Sequence, residues 1–83
     1  MTEDEFLKAF GLRLTKIRIG KKISRVQLAK ELKTNEKYLR LIERGEVSIG
    51  LKRLYSISVA LNMPIFEIMD FDRDKFIWDS PAV

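Results

Sequence analysis

The sequence predicts an all-α fold, five helices packed as one compact bundle around a single core. Apolar residues recur at spacings of three and four along most of the chain, and no stretch alternates with the period of two that marks a strand. Capping and turn-forming residues separate the periodic stretches into short units. With 83 residues, the chain has material for one hydrophobic core and not two. Residues 1–83 therefore read as one domain, with a core over about 6–69 and a C-terminal tail over 70–83. Hydrophobic residues make up 46% and charged residues 34%, which is the balance of a folded soluble chain and not of a disordered one.

The first helix is expected from Asp4 to Lys21, because Leu7, Phe10, Leu14 and Ile17 fall on one helical face. Thr2 or Asp4 is placed to cap it, and Glu3, Asp4 and Glu5 suit the positive end of its dipole. Gly20 weakens it near its end. Ser24 with Gln27 three residues later is a capping-box pattern, so a second helix starts there and presents Val26, Leu28, Ala29 and Leu32. Lys33-Thr34-Asn35 lacks an apolar anchor and reads as a turn. Asn35 caps a third helix carrying Tyr38, Leu39 and Ile42 as far as Arg44, and Gly45 ends it in a left-handed conformation. Leu51, Leu54, Ile57, Ser58 and Leu61 describe a fourth helix, which Asn62-Met63-Pro64 breaks. Pro64 opens a short fifth helix through Ile65, Ile68 and Met69.

Charge is distributed unevenly along this framework. Residues 11–56 hold 13 Lys and Arg against 4 Glu, while residues 1–10 carry a net −2 and residues 57–83 a net −3. A basic middle of this kind is the electrostatic footprint of a polyanion-binding surface. A solvated helical surface has the same composition, so charge alone leaves both readings open.

Several chemistries are disfavoured. The chain has no Cys and no His, which removes disulfides, thiolate metal sites and the commonest nucleophile–base pairs. No Ser lies in a G-x-S-x-G setting and no glycine-rich phosphate loop occurs; an enzyme is not expected, and neither is a cofactor. Asp70-x-Asp72-x-Asp74 resembles the start of a calcium loop, but the sixth position is Lys75 and the twelfth is Pro81, where glycine and glutamate are required. No metal is expected. The acidic opening Glu3-Asp4-Glu5 and the lack of a long apolar run fit neither a secretory signal nor a membrane span, so a cytoplasmic location is expected.

The second and third helices, joined by a three-residue turn, have the geometry of a helix-turn-helix. The order Leu28-Ala29, then Tyr38-Leu39, then Ile42-Glu43-Arg44-Gly45 resembles the helix-turn-helix regulators of the phage repressor and Cro (XRE-like) type, over about Phe10 to Met69. Compact members of that family include restriction-modification controller proteins, Cro-like repressors and antitoxins. The resemblance implies a five-helix bundle of the phage-repressor DNA-binding type and a transcriptional regulator, repressor or activator, that binds an operator in double-stranded DNA as a homodimer. It also implies that Arg18 pairs with Glu43, and that Ala29 lets the second and third helices approach closely. This chain departs from the family pattern in having Lys33 at the turn position often held by glycine, Arg25 where many relatives carry glutamine, and Leu41 where some place a polar base reader.

In this motif the N-terminal part of the third helix enters the major groove, so Glu36, Lys37 and Arg40 are the expected base readers. Arg18, Arg25, Lys33, Asn35, Tyr38 and Arg44 are the expected contacts to the DNA backbone, with Lys52 and Arg53 weaker candidates. Arg18 has the competing structural role of pairing with Glu43, Asn35 that of a helix cap, and Tyr38 that of packing with a polar tip. A dimer surface is expected on the fourth helix, the fifth helix and the tail, where Ile65, Phe66, Met69, Phe71, Phe76 and Trp78 supply apolar area, and for these residues closure of the monomer core is the alternative. RNA polymerase is a further partner that the regulator reading allows, and a membrane is not. The rival function is a protein-interaction module, such as an antitoxin, that uses the same fold to bind a protein.

Overall fold

The computed structural model describes residues 2–71. Five helices follow in order, α1 (Glu3–Gly20), α2 (Arg25–Glu31), α3 (Glu36–Glu43), α4 (Leu51–Leu61) and α5 (Ile65–Ile68), and the described residues contain no strand. The all-α expectation and the helix count both hold.

Local chemistry sets most of the boundaries. Thr2 caps α1 through a capping box with Glu5: the Glu5 N–H donates to Thr2 Oγ1 at 3.1 Å, and the Thr2 N–H donates to Glu5 Oε1 at 2.9 Å. The backbone N–H of Thr2, followed by its hydroxyl, holds the Glu5 carboxyl below its ordinary value. Ser24 and Gln27 form the second such box at α2. Asn35 Oδ1 accepts from the Tyr38 N–H at 2.8 Å and starts α3. Asn62 closes α4 in the left-handed region, and the Ser58 hydroxyl donates to the Met63 carbonyl at 2.6 Å to fix the exit of the chain.

The core gathers Phe10, Leu14 and Ile17 of α1, Leu28 and Ala29 of α2 with Leu32 just beyond it, Leu39 and Ile42 of α3, Ile57 and Leu61 of α4, and Ile68 of α5. Helix α3 packs against both α1 and α2, while α5 packs against α1 and α4. Two glycines make the close approaches possible. A methyl group on Gly11 would come within 2.6 Å of the Ile42 carbonyl oxygen, so α1 lies directly on the backbone at the end of α3. Gly45 has φ +72°, and a side chain there would also strike the Lys8 backbone.

Three expectations about packing are corrected. Val26 and Leu51 are expected on the apolar faces of their helices, yet both are exposed, Leu51 at 83%; Val26 lies two residues before Leu28, on a different side of α2, and Leu51 lines up with the exposed Tyr55 and Val59 and not with the buried Ile57 and Leu61. Phe71 was expected on a dimer surface, but its ring meets Phe6 and Phe10 edge-on, with centroids 5.5 and 6.4 Å away, as the chain leaving α5 returns over α1. Met69, from the same group, is half-buried against the core. Phe76 and Trp78 lie outside the described residues, as do Asp72 and Asp74 of the calcium-like run. No helix among the described residues is long and apolar enough to cross a membrane.

Candidate nucleic-acid interface

Helix α3 is amphipathic in a way that separates structure from function. Leu39, Ile42 and Glu43 face inward, fixing the helix against α1 and α2. The opposite side presents Lys37, Arg40 and Arg44, all exposed, with Glu36 and Leu41 half-buried beside them. Lys37 forms no ion pair among the described residues. Arg40 lies 3.6 Å from Glu36 one turn earlier, with both side chains near half exposure, so the pair is weak and its groups can be redirected to a ligand. Arg44 pairs with Glu46 at 2.6 Å, also at the surface.

The turn before α3 adds a fourth cation. Lys33 has φ +56°, the left-handed conformation that glycine adopts without strain. The turn keeps its hydrogen bonds, with the Thr34 N–H donating to the Ala29 carbonyl at 2.9 Å and that of Lys33 to Lys30 at 3.0 Å. The lysine side chain is left exposed.

Arg18 belongs elsewhere. It is 7% exposed, with Nε donating to Glu43 Oε2 at 2.7 Å, Nη2 to Glu43 Oε1 at 3.3 Å and Nη1 to the Ile23 carbonyl at 3.0 Å. Such a buried guanidinium cannot reach a phosphate, so its expected DNA contact is set aside and its role is to tie α1 to α3. Removing one member of a buried pair of this kind costs about 3–5 kcal/mol. Arg25 shares the same carboxylate, its Nε donating to Glu43 Oε1 at 3.0 Å.

Arg53 is also structural. Its Nη1 donates to the Leu32 carbonyl at 2.7 Å, and its guanidinium lies 5.3 Å from the centre of the Tyr38 ring, so α4 clamps the turn between α2 and α3. Tyr38 is accordingly half-buried under Arg53. Sequence reading missed this staple, which joins residues distant in the chain, and although it places the fourth helix at a dimer surface it does not single out the apolar stripe on α4. Leu51, Tyr55 and Val59, spaced by four, are all exposed. On α5, Phe66 is 76% exposed and Ile65 is partly so.

The described residues offer no group of three or more His, Cys, Asp or Glu placed to hold a metal. What they assemble is a rigidly backed helix with a basic outer face, preceded by a tight turn and a second helix at its rear, the arrangement of a DNA-recognition motif. A family model described as helix-turn-helix matches residues 14–68. The chain belongs to that family and is an XRE-like helix-turn-helix regulator; the family is one of DNA-binding transcription regulators.

Solved structures agree. The restriction-modification controller protein C.AhdI from Aeromonas hydrophila is similar with a TM-score of 0.77 and 26% identity, covering 82% of this chain and 99% of its own. The clp gene regulator ClgR from Corynebacterium glutamicum is similar with a TM-score of 0.75 and 25% identity, covering 77% of this chain and 82% of its own. A hypothetical transcription factor, NHTF, from Neisseria shares the fold at 17% identity and a TM-score of 0.76, over 92% of this chain and 87% of its own. No curated protein sequence gives a significant match.

Proposed function

We propose that this protein is an operator-specific regulator that binds double-stranded DNA as a homodimer in the cytoplasm, with α3 in the major groove. The observation that carries the reading is the division of α3 into an inner face locked by Leu39, Ile42 and Glu43 and an outer face of exposed cations. A helix anchored in this way can meet base edges without losing order on binding. In this reading Lys37 and Arg40 donate to guanine O6 and N7, and Glu36 accepts from cytosine N4. Arg25, Lys33, Asn35, Tyr38 and Arg44 flank the groove and set the register against the phosphates.

One such unit reads few base pairs, and a two-fold dimer reads two half-sites about 34 Å apart. The exposed Leu51, Tyr55 and Val59, together with Phe66 and Ile65, supply the apolar surface that such a dimer buries. Similarity to C.AhdI, a restriction-modification controller over nearly its whole length, favours control of restriction-modification genes as the biological setting.

The test is a titration of labelled genomic fragments, including the promoter upstream of the protein's own gene, at two salt concentrations with excess nonspecific competitor. Competitor-resistant binding to one fragment is expected. Failure to bind any fragment at low salt would refute the proposal and direct the search to a protein partner.

A further inference from the structure

Glu43 is unusual in serving two arginines from two other helices. Its carboxylate, only 3% exposed, accepts from Arg18 Nε at 2.7 Å and Nη2 at 3.3 Å, and from Arg25 Nε at 3.0 Å. Two guanidinium groups against one carboxylate leave one positive charge uncompensated where α1, α2 and α3 meet. Arg18 cannot present that charge outward, because it is buried and its remaining nitrogen, Nη1, donates to Ile23. Arg25 can. Its side chain is 29% exposed, its Nε is committed to Glu43, and its two Nη groups have no acceptor among the described residues.

We infer that Glu43 is a positioning residue for DNA binding: it grips the inner edge of Arg25 so that the outer Nη edge meets a backbone phosphate. The inference rests on the DNA-binding function proposed above. A guanidinium is suited to this arrangement because it is planar and carries donors on separate edges, so one edge can be anchored while the other binds a ligand. A lysine ammonium is a single point on a flexible stem and cannot hold both partners in a fixed geometry. Anchoring also removes rotamer freedom before DNA arrives, lowering the entropy cost of the contact. Because Glu43 belongs to α3, the phosphate held by Arg25 is referenced to the recognition helix and sets how that helix sits in the groove.

The test compares wild type with Arg25→Ala, Arg25→Lys and Glu43→Gln, each first melted to establish that it is folded, then titrated against the operator fragment and against nonspecific duplex. Both Arg25 variants are expected to melt close to wild type, since Arg18 still neutralises Glu43. Both are expected to lose about tenfold in affinity on operator and nonspecific duplex alike, as for a charge-assisted hydrogen bond to phosphate. For Arg25→Ala the salt slope falls by about 0.9, the value for one phosphate contact. If Glu43→Gln folds, adding Arg25→Ala to it causes no further loss; if it does not fold, the two Arg25 variants decide.

Arg25→Lys with wild-type affinity would overturn the inference, because charge alone would then suffice, and so would an Arg25→Ala variant with unchanged affinity. In either case, a wild-type protein that still binds its operator leaves the operator reading intact. A wild-type protein that binds no DNA at low salt overturns both.

Discussion

Replacing Lys33 by glycine separates two properties that the turn between α2 and α3 combines, backbone strain and surface charge. Lys33 adopts φ +56°, a conformation that costs an L-residue about 1–2 kcal/mol. Glycine escapes that strain but costs about 0.5–1 kcal/mol through the extra freedom of the unfolded chain. The lysine side chain is exposed and contributes no ion pair among the described residues, so little packing is lost. Lys33→Gly is therefore expected to stabilise the fold by up to about 1.5 kcal/mol, or up to about 12 °C in melting temperature for a domain of this size. The assay is thermal unfolding followed by circular dichroism, with Lys22→Gly as a control, since Lys22 has φ +59°. On DNA, Lys33→Gly is expected to bind more weakly, with a salt slope lower by about 0.9 for one lost phosphate contact. A more stable protein that binds less well is the signature of strain kept for function. A lower melting temperature for Lys33→Gly would refute the strain argument, and unchanged DNA binding would remove Lys33 from the interface.

Other perturbations probe the remaining supports. Gly11→Ala places a methyl group against the backbone of Ile42 and Glu43 and is expected to destabilise the fold by about 1–3 kcal/mol, measured by urea unfolding. Charged substitutions at Leu51 and Tyr55, both exposed, are expected to shift sedimentation from dimer to monomer without reducing helical content. Glu5 has a carboxyl pKa held down by the Thr2 backbone and hydroxyl, so its contribution to stability is present above the unfolded-state value and is lost as pH falls through the lower folded value. Its side-chain NMR titration is expected to have its midpoint below that of glutamate in a peptide, and Thr2→Ala is expected to raise it.

The sequence was most informative where the chemistry is local. The Ser24–Gln27 box, the Asn35 cap and the left-handed Gly45 depend on neighbours within a few residues, and each is found where those residue types place it. The second capping box, Thr2 with Glu5, has the same spacing as the first, and it decides for Thr2 over Asp4 as the cap of α1. Helical periodicity identified most of the core but included Val26 and Leu51, because a helix with apolar residues on more than one side does not show in its sequence which side meets its neighbours. Close approach at Gly11, the clamp of Arg53 on Leu32 and Tyr38, and the second arginine on Glu43 all join residues far apart in sequence. No spacing rule encodes those contacts. The same reason explains Phe71, whose aromatic character fits a dimer surface until the return of the chain over α1 brings it to Phe6 and Phe10.

The most direct test of the central claim is charge reversal on the outer face of α3. Lys37→Glu with Arg40→Glu leaves the buried side of the helix untouched, so the variant is expected to melt close to wild type. Each base contact contributes about 1–3 kcal/mol of discrimination, and operator affinity in the competitor titration is expected to fall by about a hundredfold or more. A folded double variant that binds the operator as tightly as wild type would contradict the assignment of α3 as the recognition helix.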